Sequence, residues 1–149
     1  RAGTAAWQLP PDLPERAGVF VTLRIDGDLR GCMGSVEPTE ATLAMEVVRS
    51  AIQAGTADPR FLPVEEEELP FLSYSVDVLG PLEPATAADL DPAEFGLVVS
   101  KGEQCGLLLP DLPGIETPEE QLEVACRKAG LEPDDPDLEI QRFRVTRFR

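Results

Sequence analysis

The chain has 149 residues, of which 42% are apolar, and this suits one globular domain with its own core. Thirteen basic residues against 28 acidic ones leave a net charge of −15, without the basic stripe that nucleic-acid binding requires. No apolar run could span a bilayer and no signal-peptide pattern opens the chain, so we expect a cytoplasmic protein that binds neither membrane nor nucleic acid.

The histidine and cysteine content excludes several kinds of site. Histidine is absent, which removes Ser-His-Asp and Cys-His catalysis and the usual imidazole zinc ligands. Cys32, Cys105 and Cys126 are odd in number and far apart, which argues against a disulfide framework and for a reducing compartment. We therefore predict no metal site and no other cofactor in the isolated chain.

The N-terminal part of the chain predicts an extended segment and then a hairpin. Residues 1–17 are a proline-rich segment, in which Trp7 is expected to pack on the domain formed by residues 18–149. Residues 18–25 are typical of a strand, and Asp26-Gly27 favours a type I′ turn. The returning strand leads into Cys32, which we expect at the strand's end, in the loop before the next element.

A helix is predicted from an N-cap at Thr39 to a stop at Gly55. Its apolar positions recur with helical period and indicate one wide core-facing stripe, made of Leu43, Met45, Val47, Val48, Ala51, Ile52 and Ala54. The acidic run Glu65–Glu68 is interpreted as a short solvated turn, and residues 71–79 alternate as a strand does.

The second half begins with a proline-rich connection, which suggests a smaller lobe at roughly residues 81–115. This lobe contains a second predicted hairpin, with its turn at Lys101-Gly102. Thr117, Pro118 and Glu120 form a capping-box pattern that starts a helix ending near Gly130, and a final strand is predicted over 139–148. Hairpin-paired strands with helices between them indicate an α+β fold with a largely antiparallel sheet and packed helices, divided into a larger and a smaller subdomain.

Several ordered motifs make the chain resemble one known family. They are Gly-Val-Phe-Val-Thr-Leu (18–23), Leu-Arg-Gly-Cys-Met-Gly (29–34), Asp-Pro-Arg-Phe-Leu-Pro-Val (58–64), Gly-Leu-Leu-Leu-Pro (106–110) and Cys-Arg-Lys-Ala-Gly-Leu (126–131). In this order they resemble the AMMECR domain family, called AmmeMemoRadiSam system protein A in prokaryotes. The chain departs from the family at Met33, where isoleucine is usual, and in the proline-rich segment that stands in place of the family's N-terminal helix.

The resemblance implies companions and a site, without supplying an established activity. It implies a Memo-like protein and a radical-SAM protein as partners. It also implies that the site includes Arg30, Gly31, Cys32 and Gly34. To these we add Ser35 and Arg60 as candidate ligand-binding residues.

The residues of this segment suit two kinds of chemistry. Cys32 becomes a nucleophile or carrier thiol where a cation stabilises its thiolate, and the flanking glycines allow close approach of a small anionic ligand. The simpler interpretation makes Cys32 a small buried hydrophobe and the glycines a bulge or a tight packing contact. For Cys105 and Cys126 core packing is favoured, and the Asp58–Arg60 pair is interpreted as fixing its loop.

These residues support two functional hypotheses. The first is a non-catalytic binding or accessory module that meets its partners through a cleft at the Arg-Gly-Cys-Met-Gly segment. The second is a small enzyme that uses Cys32 as nucleophile or carrier. The absence of histidine favours the first, because no obvious general base accompanies Cys32.

Overall fold

A computed structural model of the chain describes residues 12–149. These residues form eight strands and two α-helices, with two short 3₁₀ helices at Glu66–Phe71 and Ala87–Asp89. In chain order the elements are β1 (Val19–Ile25), β2 (Asp28–Ser35), α1 (Leu43–Thr56), β3 (Leu72–Leu79), β4 (Glu83–Pro84), β5 (Gly96–Lys101), β6 (Gln104–Leu108), α2 (Pro118–Ala129), β7 (Glu139–Phe143) and β8 (Val145–Phe148). Neither α-helix in this part of the chain is long and apolar enough to cross a bilayer.

The strands form two four-stranded sheets, with the orders β2-β1-β3-β8 and β4-β7-β5-β6. The pairings of β1 with β2 and β3, of β5 with β6 and β7, and of β4 with β7 are all antiparallel. The predicted α+β class is therefore confirmed. The predicted final strand over 139–148 is divided at Arg144 into β7 and β8.

The chain divides into two compact units. Among the described residues, one unit comprises 12–78 together with 147–149, and the other comprises Leu79–Thr146. The stretch predicted as a smaller lobe, roughly 81–115, lies in the second unit, which continues through α2 and β7. Residues 1–11 of the predicted N-terminal segment, including Trp7, lie outside the described residues.

The first unit is built on the β1–β2 hairpin. Asp26 and Gly27 both have positive φ, 52° and 84°, as a type I′ turn requires, so the predicted hairpin is confirmed. The prediction that Cys32 lies at a strand end is wrong, because β2 continues to Ser35. Gly31 lies within the strand and allows α1 to pack directly on it. A Cβ on Gly31 would lie 2.0 Å from the carbonyl oxygen of Ala54.

Helix α1 begins later than predicted. Its N-cap is Thr42, whose Oγ1 accepts a hydrogen bond from the amide of Met45 at 3.2 Å, and it ends at Thr56, one residue beyond Gly55. Thr39 has a different structural role. Its amide and its hydroxyl donate to the buried carboxylate of Glu46, at 2.6 and 2.7 Å, so this carboxylate fixes the loop that enters the helix.

The core-facing stripe of α1 is narrower than predicted. Met45, Val48 and Ile52 are 52%, 55% and 60% exposed, so their assignment to the core is wrong. Leu43 and Ala54 are buried against β1 and β3, together with Val19, Val21, Leu23 and Val78. Leu43 and Ala54, three turns apart, thus lie on the packed face of the helix, while Met45, Val48 and Ile52 face outward.

The second unit repeats the arrangement of a helix on a hairpin. Thr117 and Glu120 form the predicted capping box, and Gly130 ends α2 with a φ of 72°, so both helix signals are confirmed. Cys126 is buried in this unit's core, as predicted. Cys105 is exposed, and its assignment to the core is wrong, because its neighbour Gly106 occupies the position that faces α2.

Candidate functional site

Cys32 lies in the middle of β2, opposite Thr22 of β1, and β2 is one of the two edge strands of its sheet. The thiol is partly buried. Thr22 Oγ1 donates a hydrogen bond to Cys32 Sγ at 3.4 Å, and the Cys32 amide donates to Oδ2 of Asp58 at 3.0 Å. The strand edge at Cys32 is therefore closed by a side chain from a later segment of the same unit.

Asp58 reaches Cys32 because α1 runs back along β2. The carbonyl of Ala54 lies against Gly31, and the chain leaving the helix then passes Cys32. The Asp58 side chain is buried and also accepts hydrogen bonds from the amide, Nε and Nη2 of Arg60, at 3.0, 3.0 and 2.7 Å. The Arg60 side chain is thereby the main cause that holds the pKa of Asp58 well below its usual range, although burial opposes it.

Arg30 is held by a second ion pair. The register shifts between Leu23 and Arg24 and leaves Arg30 as the extra residue of a bulge in β2. Its Nε and Nη2 bind the two carboxylate oxygens of Glu68 at 2.8 and 3.0 Å, and Nη2 also donates to the carbonyl of Pro63 at 3.3 Å. The hydrogen bonds between the two side chains raise the pKa of Arg30 and lower the pKa of Glu68 to about 2.

Phe61 joins the two ion pairs. The guanidinium carbons of Arg30 and Arg60 lie 5.8 and 5.5 Å from the centroid of its ring, within the range of a cation–π contact. The Arg30–Glu68 pair and the Arg60–Asp58 pair, which also binds the Cys32 amide, are thus linked through one aromatic side chain. We call these five residues with Phe61 the Cys32 cluster.

The fold brings together only some of the predicted site residues. Arg30, Cys32 and Arg60 belong to the Cys32 cluster. Gly31 faces the backbone of α1, and a Cβ on Gly34 would lie 1.9 Å from the carbonyl oxygen of Val19, so both glycines serve strand and helix packing. Ser35 Oγ donates to the carbonyl of Glu37 at 2.7 Å and stabilises a turn.

Glu68 is the cluster residue that sequence reasoning missed. It lies in an acidic run and is separated from Arg30 by 38 residues. Nothing in the local sequence distinguishes it from Glu65, Glu66 and Glu67. Its role depends on the bulge that turns Arg30 toward it.

The cluster contains charged groups that are already paired. Each guanidinium binds both oxygens of a carboxylate in its own chain, which is the strong geometry for such pairs. In residues 12–149 no group of three or more Cys, Asp or Glu side chains is placed to hold a metal ion. The arrangement can recognise a partner through shape, an aromatic ring and paired charges.

Comparison with known proteins identifies the family. The AMMECR1 family model matches residues 3–148. A Thermotoga maritima protein is 50% identical over 136 residues, which cover 90% of this chain and 78% of that protein. A Clostridium acetobutylicum protein is 44% identical over 152 residues, covering 99% of this chain and only 32% of its own length.

A solved structure agrees with this relationship. The crystal structure of an uncharacterised protein from Pyrococcus horikoshii is similar with a TM-score of 0.83 and 34% identity, covering 98% of this chain and 82% of that one. The family resemblance noted in the sequence motifs is thus confirmed over nearly the whole chain. The chain belongs to the AMMECR1 family.

Proposed function

We propose that this domain is a binding or accessory module that works with Memo-like and radical-SAM partner proteins through the Cys32 cluster. One observation carries the proposal: the two cations of the Cys32 cluster, Arg30 and Arg60, are each bound by a carboxylate of their own chain. A guanidinium that is paired with a carboxylate stabilises a thiolate or a bound anion less than a free guanidinium does, because the carboxylate's charge opposes it. The cluster is therefore better suited to hold a surface in shape than to activate a nucleophile.

The position of Asp58 supports the same proposal. Its carboxylate lies at the backbone amide of Cys32, so a thiolate formed there would lie near a second negative group. A small anionic ligand would have to displace Glu68 or Asp58, or use only the outward side of Arg60, whose side chain is 56% exposed. Binding of a protein surface needs neither displacement.

The second candidate, a cysteine-centred enzyme or carrier, is favoured by one specific contact. Thr22 Oγ1 donates to Cys32 Sγ at 3.4 Å, which places a hydrogen-bond donor at the sulfur atom. The thiol is also partly accessible. In this case Cys32 Sγ would attack the carbonyl carbon of an ester or thioester, and the S–acyl bond would form as the bond to the alcohol or thiol leaving group breaks and that group takes up the thiol's proton. Water or an acceptor amine would then take the acyl group and return the proton to the thiol, with Thr22 as hydrogen-bond donor to the sulfur.

Binding to the purified partner proteins separates the two candidates. The Memo-like and radical-SAM proteins of the same organism are each titrated calorimetrically with wild type, Arg30→Ala and Cys32→Ser. The control is Arg127→Ala, which breaks an exposed ion pair with Glu123 in the second unit. We expect Arg30→Ala to weaken binding roughly tenfold, because Glu68 and its segment lose their anchor, and Cys32→Ser and the control to change it little.

Two results would contradict the binding proposal. One is that neither protein binds measurably at high concentration. The other is a turnover, detected with the partners present, that Cys32→Ser abolishes while circular dichroism shows an intact fold.

A further inference from the structure

We propose that an exposed surface beside the Cys32 cluster docks a basic, apolar segment of a partner protein. The surface consists of Leu62, Glu66, Glu67, Leu69 and Phe71, and we call it the acidic–apolar surface. The inference rests on the proposed binding function and names the class of partner segment.

Its apolar members are unusually open to solvent. Leu62 is 83% exposed, Phe71 69% and Leu69 51%. Tyr74, in the adjoining strand β3, is 51% exposed. Single exposed apolar side chains are ordinary, whereas three large ones within ten residues of chain supply the apolar area that an interaction surface needs.

The surface is fixed by contacts beneath it. Leu62 directly precedes Pro63 and Leu69 directly follows Glu68, and both anchoring residues are bound by Arg30. The amide of Val64 donates to the carbonyl of Gly55 at 2.7 Å, which ties the same segment to α1. Since the backbone is held before binding, a partner loses little free energy in ordering it.

The charge of the acidic–apolar surface determines which kind of partner segment it favours. Glu65, Glu66 and Glu67 are exposed, and the chain has no lysine or arginine from Phe61 to Ser100. Arg30 and Arg60, which both contact Phe61 at the start of this segment, are already paired with Glu68 and Asp58. The carboxylates therefore favour lysine or arginine on the partner, and aliphatic or aromatic side chains beside them would cover Leu62, Leu69 and Phe71.

The same charges disfavour a second copy of this chain as the occupant. A chain with a net charge of −15 would bring further negative charge to an acidic surface. The exposed stripe of α1, formed by Met45, Val48 and Ile52, is different. It is flanked by the Glu40–Arg49 pair at 3.4 Å, so its borders carry both signs, and it provides a matched apolar control.

The test uses a fluorescent synthetic peptide of alternating lysine, leucine and phenylalanine, with a glutamate-for-lysine analogue of identical apolar content. Anisotropy titrations compare wild type with Leu62→Ser/Phe71→Ser and Glu66→Lys/Glu67→Lys. Val48→Ser/Ile52→Ser controls for lost apolar surface, and Glu103→Lys/Asp134→Lys controls for the same change of net charge in exposed residues of the second unit. Thermal melts establish that all variants fold.

We expect the lysine peptide to bind and the glutamate analogue not to bind. Each surface variant should weaken binding roughly tenfold, with less than threefold effects of the controls. Equal weakening by surface and control variants would overturn the inference, as would dimerisation of wild type that Leu62→Ser/Phe71→Ser abolishes. If the Memo-like or radical-SAM protein binds wild type and both surface variants equally, this inference fails while the proposed function stands; if neither protein binds, the proposed function fails.

Discussion

The two units of the molecule use the same packing and differ in the segment that leaves the helix. In each, an antiparallel hairpin precedes a helix that lies on the hairpin's second strand: β1–β2 with α1, and β5–β6 with α2. In each, a glycine of that strand faces a helix carbonyl. A Cβ on Gly31 would lie 2.0 Å from Ala54 O, and one on Gly106 would lie 2.3 Å from Ala125 O.

A cysteine adjoins the packing glycine in both units, yet only one has a charged cluster around it. After α1 the chain passes Cys32 with Asp58 and Arg60. After α2 the chain turns at Gly130, and the side-chain amide of Gln104 donates to the carbonyls of Ala129 and Gly130 at 3.1 and 3.2 Å. The segment after the helix, rather than the glycine–cysteine pair, therefore distinguishes the candidate site.

The first prediction concerns the two glycines at which a helix packs on a strand. Gly31→Ala and Gly106→Ala should each destabilise the protein by about 3 kcal/mol, since the added methyl group would overlap a backbone carbonyl that no side-chain movement can relieve. Urea denaturation measures the free energy of unfolding. The control Gly55→Ala has its nearest contact at 3.6 Å and should stabilise by about 0.5 kcal/mol, because alanine favours a helix. Unchanged stability of either strand variant would refute close helix–strand contact in that unit.

The second prediction concerns Asp58, which binds the segment after α1 to Cys32 and Arg60 in the first unit. Asp58→Asn should cost about 2 kcal/mol at neutral pH, because a buried carboxylate with four hydrogen bonds loses its charge. Since folding lowers the pKa of Asp58, its stabilisation is complete above the unfolded value of about 4 and is lost as the pH falls below it.

Denaturation of wild type and Asp58→Asn from neutral to acidic pH checks this sign. The difference between them should shrink below about pH 4. Glu68→Gln should follow the same direction, with a smaller effect because Glu68 is more exposed. A difference that grows on acidification would show that Asp58 does not bind Arg60 as an ionised group.

The third effect compares the two helix starts. Thr117→Ala should cost about 1 kcal/mol, because Thr117 and Glu120 cap one another's backbone amides. Thr42→Ala should cost less, since only the Met45 amide donates to Thr42 Oγ1. Thermal unfolding of both variants measures the order, and a larger loss from Thr42→Ala would contradict it.

The features that the sequence predicts correctly are those with local causes. The Asp26-Gly27 turn and the Thr117–Glu120 capping box depend on residues within one turn of chain. The start of α1 was predicted at Thr39, but the observed N-cap is Thr42. Thr39 and Glu40 instead donate hydrogen bonds to the buried carboxylate of Glu46 and lower its pKa, although burial opposes this.

The candidate site depends on contacts that no local pattern specifies. Arg30 meets Glu68 only because a bulge displaces it from the ladder, and Asp58 meets Cys32 only because α1 returns along β2. Cys105 is exposed because its neighbour Gly106 faces α2, and side chains of adjacent strand residues point to opposite faces. The hydrophobicity of the sequence does not show which of the two faces the helix.

Alkylation of the three cysteines tests most directly the claim that the Cys32 cluster is built for binding. Native protein is treated with iodoacetamide at neutral pH, and the rate at each cysteine is read from peptide masses. We expect the fastest reaction at exposed Cys105 and the slowest at Cys126, whose thiol is buried and has its pKa raised by that burial. Cys32 should react at an intermediate rate, as a partly buried thiol beside paired arginines. A Cys32 rate roughly tenfold above that of Cys105 would refute the binding role and establish Cys32 as an activated nucleophile.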